Sequence, residues 1–260
     1  MNYISVKNNQ TTPISSIPEL DYSSFLELNV FSLIKGSKSH CLNFFAFRHT
    51  GKLKLICCIA NDELNAINIS SSIVDIKQPL PSFTKHNLVF EKFEREIHEN
   101  YGIAYTDHPW LKPVRFPANR FNNNISVADY PFFKIESEEL HEVGVGPIHA
   151  GIIEPGHFRF ICNGEQVLHL EVQLGYQHRG IEQLFLEKKK LLQRTTLAEN
   201  IAGDSVIGHT LAFVNLWESL CNYLPGRDLQ LARTLALELE RVAVHTGDLS
   251  GMCTDVAYQL

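Results

Sequence analysis

The sequence predicts an α+β protein: an N-terminal α+β domain over residues 1–140, then a small antiparallel sheet leading into a helical bundle over 141–260. Three observations carry this expectation. Two apolar strand-like runs lie within the first sixty residues, joined by a tetrapeptide with a central glycine. The apolar period changes from two to about 3.6 at Phe90. A second pair of strand-like runs brackets Asn163-Gly164, and from Gly175 onward the remaining segments have helical spacing.

The elements follow in chain order. Pro18 to Phe31 has the length and composition of a short helix. Cys41–Arg48 and Leu53–Ala60 are strands, and His49-Thr50-Gly51-Lys52 connects them as a hairpin in which Gly51 is free to take a positive φ. Phe90, Phe93, Ile97 and Tyr101 recur at helical spacing, with Glu91, Glu94, Glu96 and Glu99 keeping the other side wet. Gly102 suits the left-handed position that ends such a helix. Asn119 to Glu139, with three consecutive asparagines, Pro131 and a Glu-Ser-Glu-Glu run, is expected to be an exposed connection. His157–Ile161 and Val167–Val172 then pair across a turn at Asn163-Gly164. Leu168, Leu170, Val172 and Leu174 face one way and His169, Glu171 and Gln173 the other, giving a half-buried strand. Three helices complete the chain, over about Arg179–Gln193, Thr196–Tyr223 and Asp228–Ser250, with Pro225-Gly226 separating the last two.

Composition narrows the function. A chain of 260 residues with 44% hydrophobic and 20% charged residues is a packed globular protein. With 23 basic against 29 acidic residues, a net charge of -6 and no long basic run to track phosphates, nucleic acid is not an expected partner. Six cysteines without a Cys-x-x-Cys pair are expected to be reduced cytoplasmic thiols, with Cys57 and Cys58 as small core residues. The polar N-terminus carries no signal-like segment, and no window approaches the roughly 20 apolar residues of a membrane span. The expected location is the cytoplasm, with docking on a membrane protein left open.

Four clusters carry candidate chemistry, each with an ordinary alternative. Gly146-Pro147-Ile148-His149 and Glu154-Pro155-Gly156-His157 place two imidazoles and a carboxylate at the mouth of a sheet, where they can relay protons or hydrogen-bond a carbonyl. Exposed turn residues explain the same pattern. In His178-Arg179-Gly180-Ile181-Glu182, Arg179 and Glu182 are spaced for a local ion pair. Ala198, Ala202, Ser205 and His209, spaced four, three and four apart, would share one small, polar helix face that either packs closely or lines a cavity. Arg241 and His245, four apart on a helix with an apolar stripe through Leu231, Leu235, Leu239 and Val242, could reach one space or simply be solvated.

The four clusters occur together in an order that resembles a known family. Gly146 to Leu260 resembles the beginning of the large subunit of membrane-bound nickel-iron hydrogenases of the formate hydrogenlyase and hydrogenase-4 type, a family that includes the quinone-site subunit of respiratory complex I. The resemblance rests on Gly146-Pro147-x-His149, Glu154-Pro155-Gly156-His157-Phe158-Arg159, His178-Arg179-Gly180-x-Glu182 and Glu240-Arg241-x-x-x-His245. The N-terminal part resembles the 30-kDa-type complex I subunit often fused upstream, through Phe93-Glu94-Arg95-Glu96-Ile97, Tyr101-Gly102-Ile103 and His108-Pro109-Trp110-Leu111. Related large subunits continue past the position of Leu260, so the resemblance is to a C-terminally short member.

One departure is central. Hydrogenases of this family write the third cluster as Ala-Glu-Arg-x-Cys-Gly-x-Cys-x-x-x-His, whereas this chain reads Ala198-Glu199-Asn200-Ile201-Ala202-Gly203-Asp204-Ser205 and then His209. A methyl group donates nothing to nickel, and a serine hydroxyl stays protonated and hard near neutral pH. The resemblance therefore implies a metal-free subunit of the soluble arm of a membrane-associated complex I-like or hydrogenase-4-like oxidoreductase, not active alone. Such a subunit would sit at the inner face of the cell membrane against an iron-sulfur small subunit and membrane antiporter-like subunits. The expected site comprises His149, Glu154, His157 and His209 as a cavity or proton relay, with His157, Arg179, Glu182, Arg241 and His245 toward any bound group. No metal and no cofactor are expected on this chain, with a quinone headgroup left open. His157 matches the histidine that hydrogen-bonds quinone in complex I, while the complex I tyrosine that partners it falls near Gly203. NADH binding is not expected, since no Gly-x-Gly-x-x-Gly turn follows a strand. The alternative is a non-catalytic assembly or interaction module that retains its ancestor's shape.

Overall fold

A computed structural model of the chain describes residues 2–34, 37–149 and 153–258. The chain divides into two compact units, 1–131 and 132–260. The sequence placed this division near residue 140. Residues 132–140 side with the second unit because Phe132 stacks edge-on against His157, 5.5 Å between ring centres, and the Phe133 amide donates to Glu171 Oε2 at 2.8 Å.

The first unit is an α+β sandwich, opening with β1 (Ile4–Val6), β2 (Glu19–Leu20) and α1 (Tyr22–Phe31). Asp21 starts α1 by accepting from the Ser24 amide at 3.0 Å, and hydrogen bonding by the Ser24 hydroxyl and then its amide holds the carboxyl below the ordinary value. Three long antiparallel strands follow, β3 (Ser39–His49), β4 (Lys52–Asn61) and β5 (Ala66–Val74), in sheet order β1-β5-β4-β3, with β2 running parallel to β5. His49 pairs with Lys52 across a two-residue turn whose members, Thr50 and Gly51, have φ of 46° and 81°. That is the left-handed pair a tight hairpin needs. Short β6 (Leu80–Pro81) pairs in parallel with β7 (Tyr105–Thr106), and α2 (Glu91–Tyr101) lies between them in sequence, ending on Gly102 at φ 78°. Phe25, Phe44, Phe83 and Phe90 form the centre of the core, with neighbouring ring centres 4.9–6.1 Å apart. All six cysteines are free thiols; Cys57 is buried and Cys58 half-buried.

Polar anchoring supplements that core. Glu94 is fully buried and accepts from the Phe83 and Thr84 amides at 2.8 and 3.0 Å and from the Ser82 and Thr84 hydroxyls at 2.7 and 2.5 Å. Four donors offset the large cost of burying a carboxylate. Glu99 anchors the next segment, accepting from the Arg115 and Phe116 amides at 3.0 and 2.7 Å.

The second unit starts with the antiparallel sheet β8 (His141–Val145), β9 (His157–Asn163) and β10 (Gln166–Gln173), in order β10-β9-β8. Asn163 pairs with Gln166, so Gly164-Glu165 form the two-residue turn, with Gly164 at φ 56°. The turn thus sits one residue later than the sequence suggested, with the glycine as its first residue and the one that takes a positive φ. The strand alternation holds, but the covered side is the polar one. Glu171 and Gln173 are buried at 2% exposure, whereas Leu168 and Leu170 stand 49% and 48% exposed. Phe132 and Phe133 cover the polar side, where Arg159 also lies over the Phe132 ring and pairs with Glu142.

The helices are α3 (Ile181–Glu187), α4 (Leu191–Glu199), α5 (Val206–Leu220) and α6 (Arg227–Asp255). Two expected continuous helices are therefore each broken. Lys188 turns extended after α3, and Lys190 is extended at the start of α4. Between α4 and α5, residues 200–205 form a turn rich in Asn, Gly, Asp and Ser, whose side chains compete with the helical backbone.

Candidate functional site

The first candidate cluster is the loop between β8 and β9. Gly146 adopts φ 95° ahead of a cis Gly146-Pro147 bond, and a Cβ there would collide with Gly156 O and the His149 ring. His149 Nε2 lies 2.7 Å from Gly156 O, and the Gly156 amide donates to Pro147 O at 3.2 Å. His157 Nδ1 lies 3.3 Å from Gly146 O. The two imidazoles thus pin the two ends of the loop to each other through backbone carbonyls. Their ring faces meet Phe158 and Phe132, respectively, at 5.5 Å. Glu154 is exposed at the loop tip.

The second cluster is the 200–205 turn, held from two sides. On one side, Arg179 Nη1 donates to Ile201 O at 3.3 Å. Arg179 precedes α3, because Gly180 at φ 67° opens that helix, and His178 Nδ1 accepts from the Gly180 amide at 3.1 Å. Gln177, His178, Arg179, Glu182 and Ile201 line a cleft of about 190 Å³. Glu182 Oε2 stands 3.8 Å from His178 Nε2. On the other side, Glu240 of α6 accepts from the Ile207 and Gly208 amides, at 2.6 and 3.0 Å. These are unsatisfied donors of the first turn of α5, where Ser205 makes no side-chain cap, so a carboxylate from another helix takes the capping role.

This geometry revises one expectation. Ala198 lies in the last turn of α4, Ala202 and Ser205 lie in the turn that follows, and His209 lies in α5, so the four do not share one helix face. The 3.6-residue spacing across 198–209 is broken by the turn. Arg241 and His245 are exposed on α6, and Arg241 Nε donates to Glu238 at 3.0 Å as the ordinary local pair. Glu218 and Arg233 make a two-pronged pair at 2.7 and 2.8 Å that ties α5 to α6 and lowers the Glu218 carboxyl. The capping role of Glu240 was not visible in the motif, because its partners lie 32 and 33 residues earlier.

Among the described residues, no three His, Cys, Asp or Glu side chains come together as metal ligands. The donor set around the turn also does not suit nickel. Position 202 offers a methyl group, and the Ser205 hydroxyl lies 3.4 Å from Asp204 Oδ1. His157 Nδ1 faces the Gly146 carbonyl and its ring packs on Phe132.

No family model matches the chain. Individual relatives do. Hydrogenase-4 component G of Escherichia coli K12 is 30% identical over 182 residues, covering 64% of this chain and 33% of that protein. Formate hydrogenlyase subunit 5 of the same organism is 27% identical over 199 residues, covering 69% and 35%. The C/D component of NADH-quinone oxidoreductase from Bacteroides thetaiotaomicron is 24% identical over 224 residues, covering 73% and 42%. The chain spans about a third of the length of the two hydrogenase relatives and two fifths of the C/D protein. Its homologues are therefore a hydrogenase-4 component, a formate hydrogenlyase subunit and an NADH-quinone oxidoreductase C/D subunit, the groups that the motif order resembles.

Proposed function

We propose that this chain is a subunit of a membrane-associated oxidoreductase of the hydrogenase-4 or complex I type, without a nickel-iron centre of its own. One observation carries this proposal. In this chain the turn matching the one that bears the thiolates in the resembled hydrogenases is held by Arg179 on one side and Glu240 on the other, while the thiolate positions hold Ala202 and Ser205. Local support of this kind keeps a shape, and a methyl and a hydroxyl give that shape no grip on a soft metal.

The helical surface supports an assembly role. α6 has 29 residues and none is buried. Arg233, Leu237 and Glu240 point toward α5. Leu231, Leu235, Val242 and Leu249 lie on the opposite side by helical geometry and are 56–62% exposed. A long helix whose outer side exposes a stripe of leucines and a valine is suited to being covered by further protein. On this proposal the chain works beside an iron-sulfur subunit and membrane antiporter-like subunits, peripheral to the inner face of the cell membrane. The chain's own residues provide structure and coupling there, and we assign them no redox step. No described helix is long and apolar enough to cross a membrane, so attachment through partners fits the chain.

Native affinity purification of the chain with quantitative mass spectrometry tests the proposal. An iron-sulfur subunit and antiporter-like membrane subunits in stoichiometric amounts are expected. Purification of the chain alone, or with unrelated proteins only, would overturn it.

A further inference from the structure

One end of the helical part carries a second surface with its own chemistry. Leu191 and Thr195 of α4 line a cleft of about 320 Å³ together with Trp217, Cys221 and Tyr223, so the α3–α4 turn and the α5–α6 turn lie side by side. Three leucines at this end are largely exposed, one in the last turn of α3, one in the first turn of α4 and one between α5 and α6. Leu186 is 78%, Leu192 79% and Leu224 88% exposed. Between the first two stand Lys188, Lys189 and Lys190, all exposed and in no ion pair with a described residue. Arg194 Nε secures this turn by donating to Lys188 O at 2.7 Å, and Arg227 opens α6 on the neighbouring turn. Of the acids nearby, Glu218 is already neutralised by Arg233, leaving Glu187 and Asp228. A chain of net charge -6 therefore presents a locally basic tip studded with leucines.

We propose that this tip docks directly on an anionic lipid surface. Three clustered lysines supply the attraction to negatively charged headgroups, which falls off within a Debye length and so orients the acidic chain tip-first. Exposed leucines beside a lysine cluster suit shallow insertion between headgroups, with the apolar side chains entering the boundary and the ammonium groups staying at the headgroups. Tyr223, an exposed amphipathic ring at the same end, matches the chemistry of a membrane-water boundary. This contact needs no partner protein, so it stands or falls independently of the assembly proposed above.

Flotation of the full chain with vesicles tests it, using about one-third phosphatidylglycerol in phosphatidylcholine against phosphatidylcholine alone at about 0.1 M salt. Binding to the anionic vesicles, at least about tenfold tighter than to neutral ones and abolished near 1 M salt, is expected. K188E/K189E/K190E should weaken it roughly a hundredfold. L192S/L224S, with every lysine kept, should weaken it about tenfold. K52E/K77E on the sheet unit should leave it unchanged, with circular dichroism confirming that all variants fold. Absence of anionic-vesicle binding, equal binding to neutral vesicles, or an equal loss in K52E/K77E would overturn the proposal. So would binding to polyglutamate as tight as to vesicles and indifferent to L192S/L224S, which would assign the tip to an acidic protein instead.

Discussion

Glu240→Ala is the substitution that most directly probes the 200–205 turn. The Glu240 carboxylate caps α5 through the Ile207 and Gly208 amides, at 2.6 and 3.0 Å. Deleting a hydrogen bond to a charged group costs about 1.5–3 kcal/mol, and a lost helix cap about 0.5–2 kcal/mol. The site is half-exposed and water can take over both amides, so the lower end applies. The expected loss is about 2 kcal/mol, equivalent to roughly 30-fold faster hydrogen exchange in the first turn of α5. Glu240→Gln keeps one acceptor oxygen without the charge and should lose about half as much. Exchange measured by mass spectrometry on peptides spanning 203–212 reads this directly. If Glu240→Ala leaves exchange unchanged, or if Glu238→Ala at the neighbouring exposed pair has the same effect, the carboxylate does not hold the turn.

Three further outcomes concern the first unit. Glu94→Ala strands two buried amides and two hydroxyls and should cost that unit about 4 kcal/mol in urea unfolding, with Glu94→Gln costing less. Burial holds His108 below its ordinary histidine value, so the unfolded chain takes up a proton that the folded side chain resists. The His108 contribution is therefore fully present above about pH 6.5 and lost as pH falls below it, and His108→Gln should flatten that part of the stability profile. At Gly102, φ is 78° and an added Cβ would lie 2.6 Å from the Phe121 ring, so Gly102→Ala should cost about 2 kcal/mol by urea midpoint. In a Phe121→Ala background, only the backbone part of about 1 kcal/mol should remain.

What could be read from the sequence was mostly local. The β3–β4 hairpin, α2 and its Gly102 end each follow from residues within a few positions, and the structure has them where the apolar period and the glycines put them. The misses depend on partners far along the chain. Alternation in β10 showed two faces but not which one is covered, because Phe132 and Phe133, which cover the polar side, lie in a stretch with the composition of a linker. The 3.6-residue spacing ran on through 198–209 because Ala198, Ala202 and Ser205 tolerate a helix. The break falls in the 200–205 stretch rich in Asn, Gly, Asp and Ser, and the carboxylate that caps α5 beyond it, Glu240, comes from too far along the chain for a local pattern to announce. The loop histidines were legible as a pair, yet their contacts to Gly146 O and Gly156 O are set by the turn of the loop itself.

Elemental analysis of the native assembly, purified through this chain and quantified per copy, bears most directly on the idea that a well-supported turn without thiolates holds no nickel. Iron from a partner without stoichiometric nickel is the expected result. One nickel per chain, lost when the 200–205 turn is altered, would contradict it.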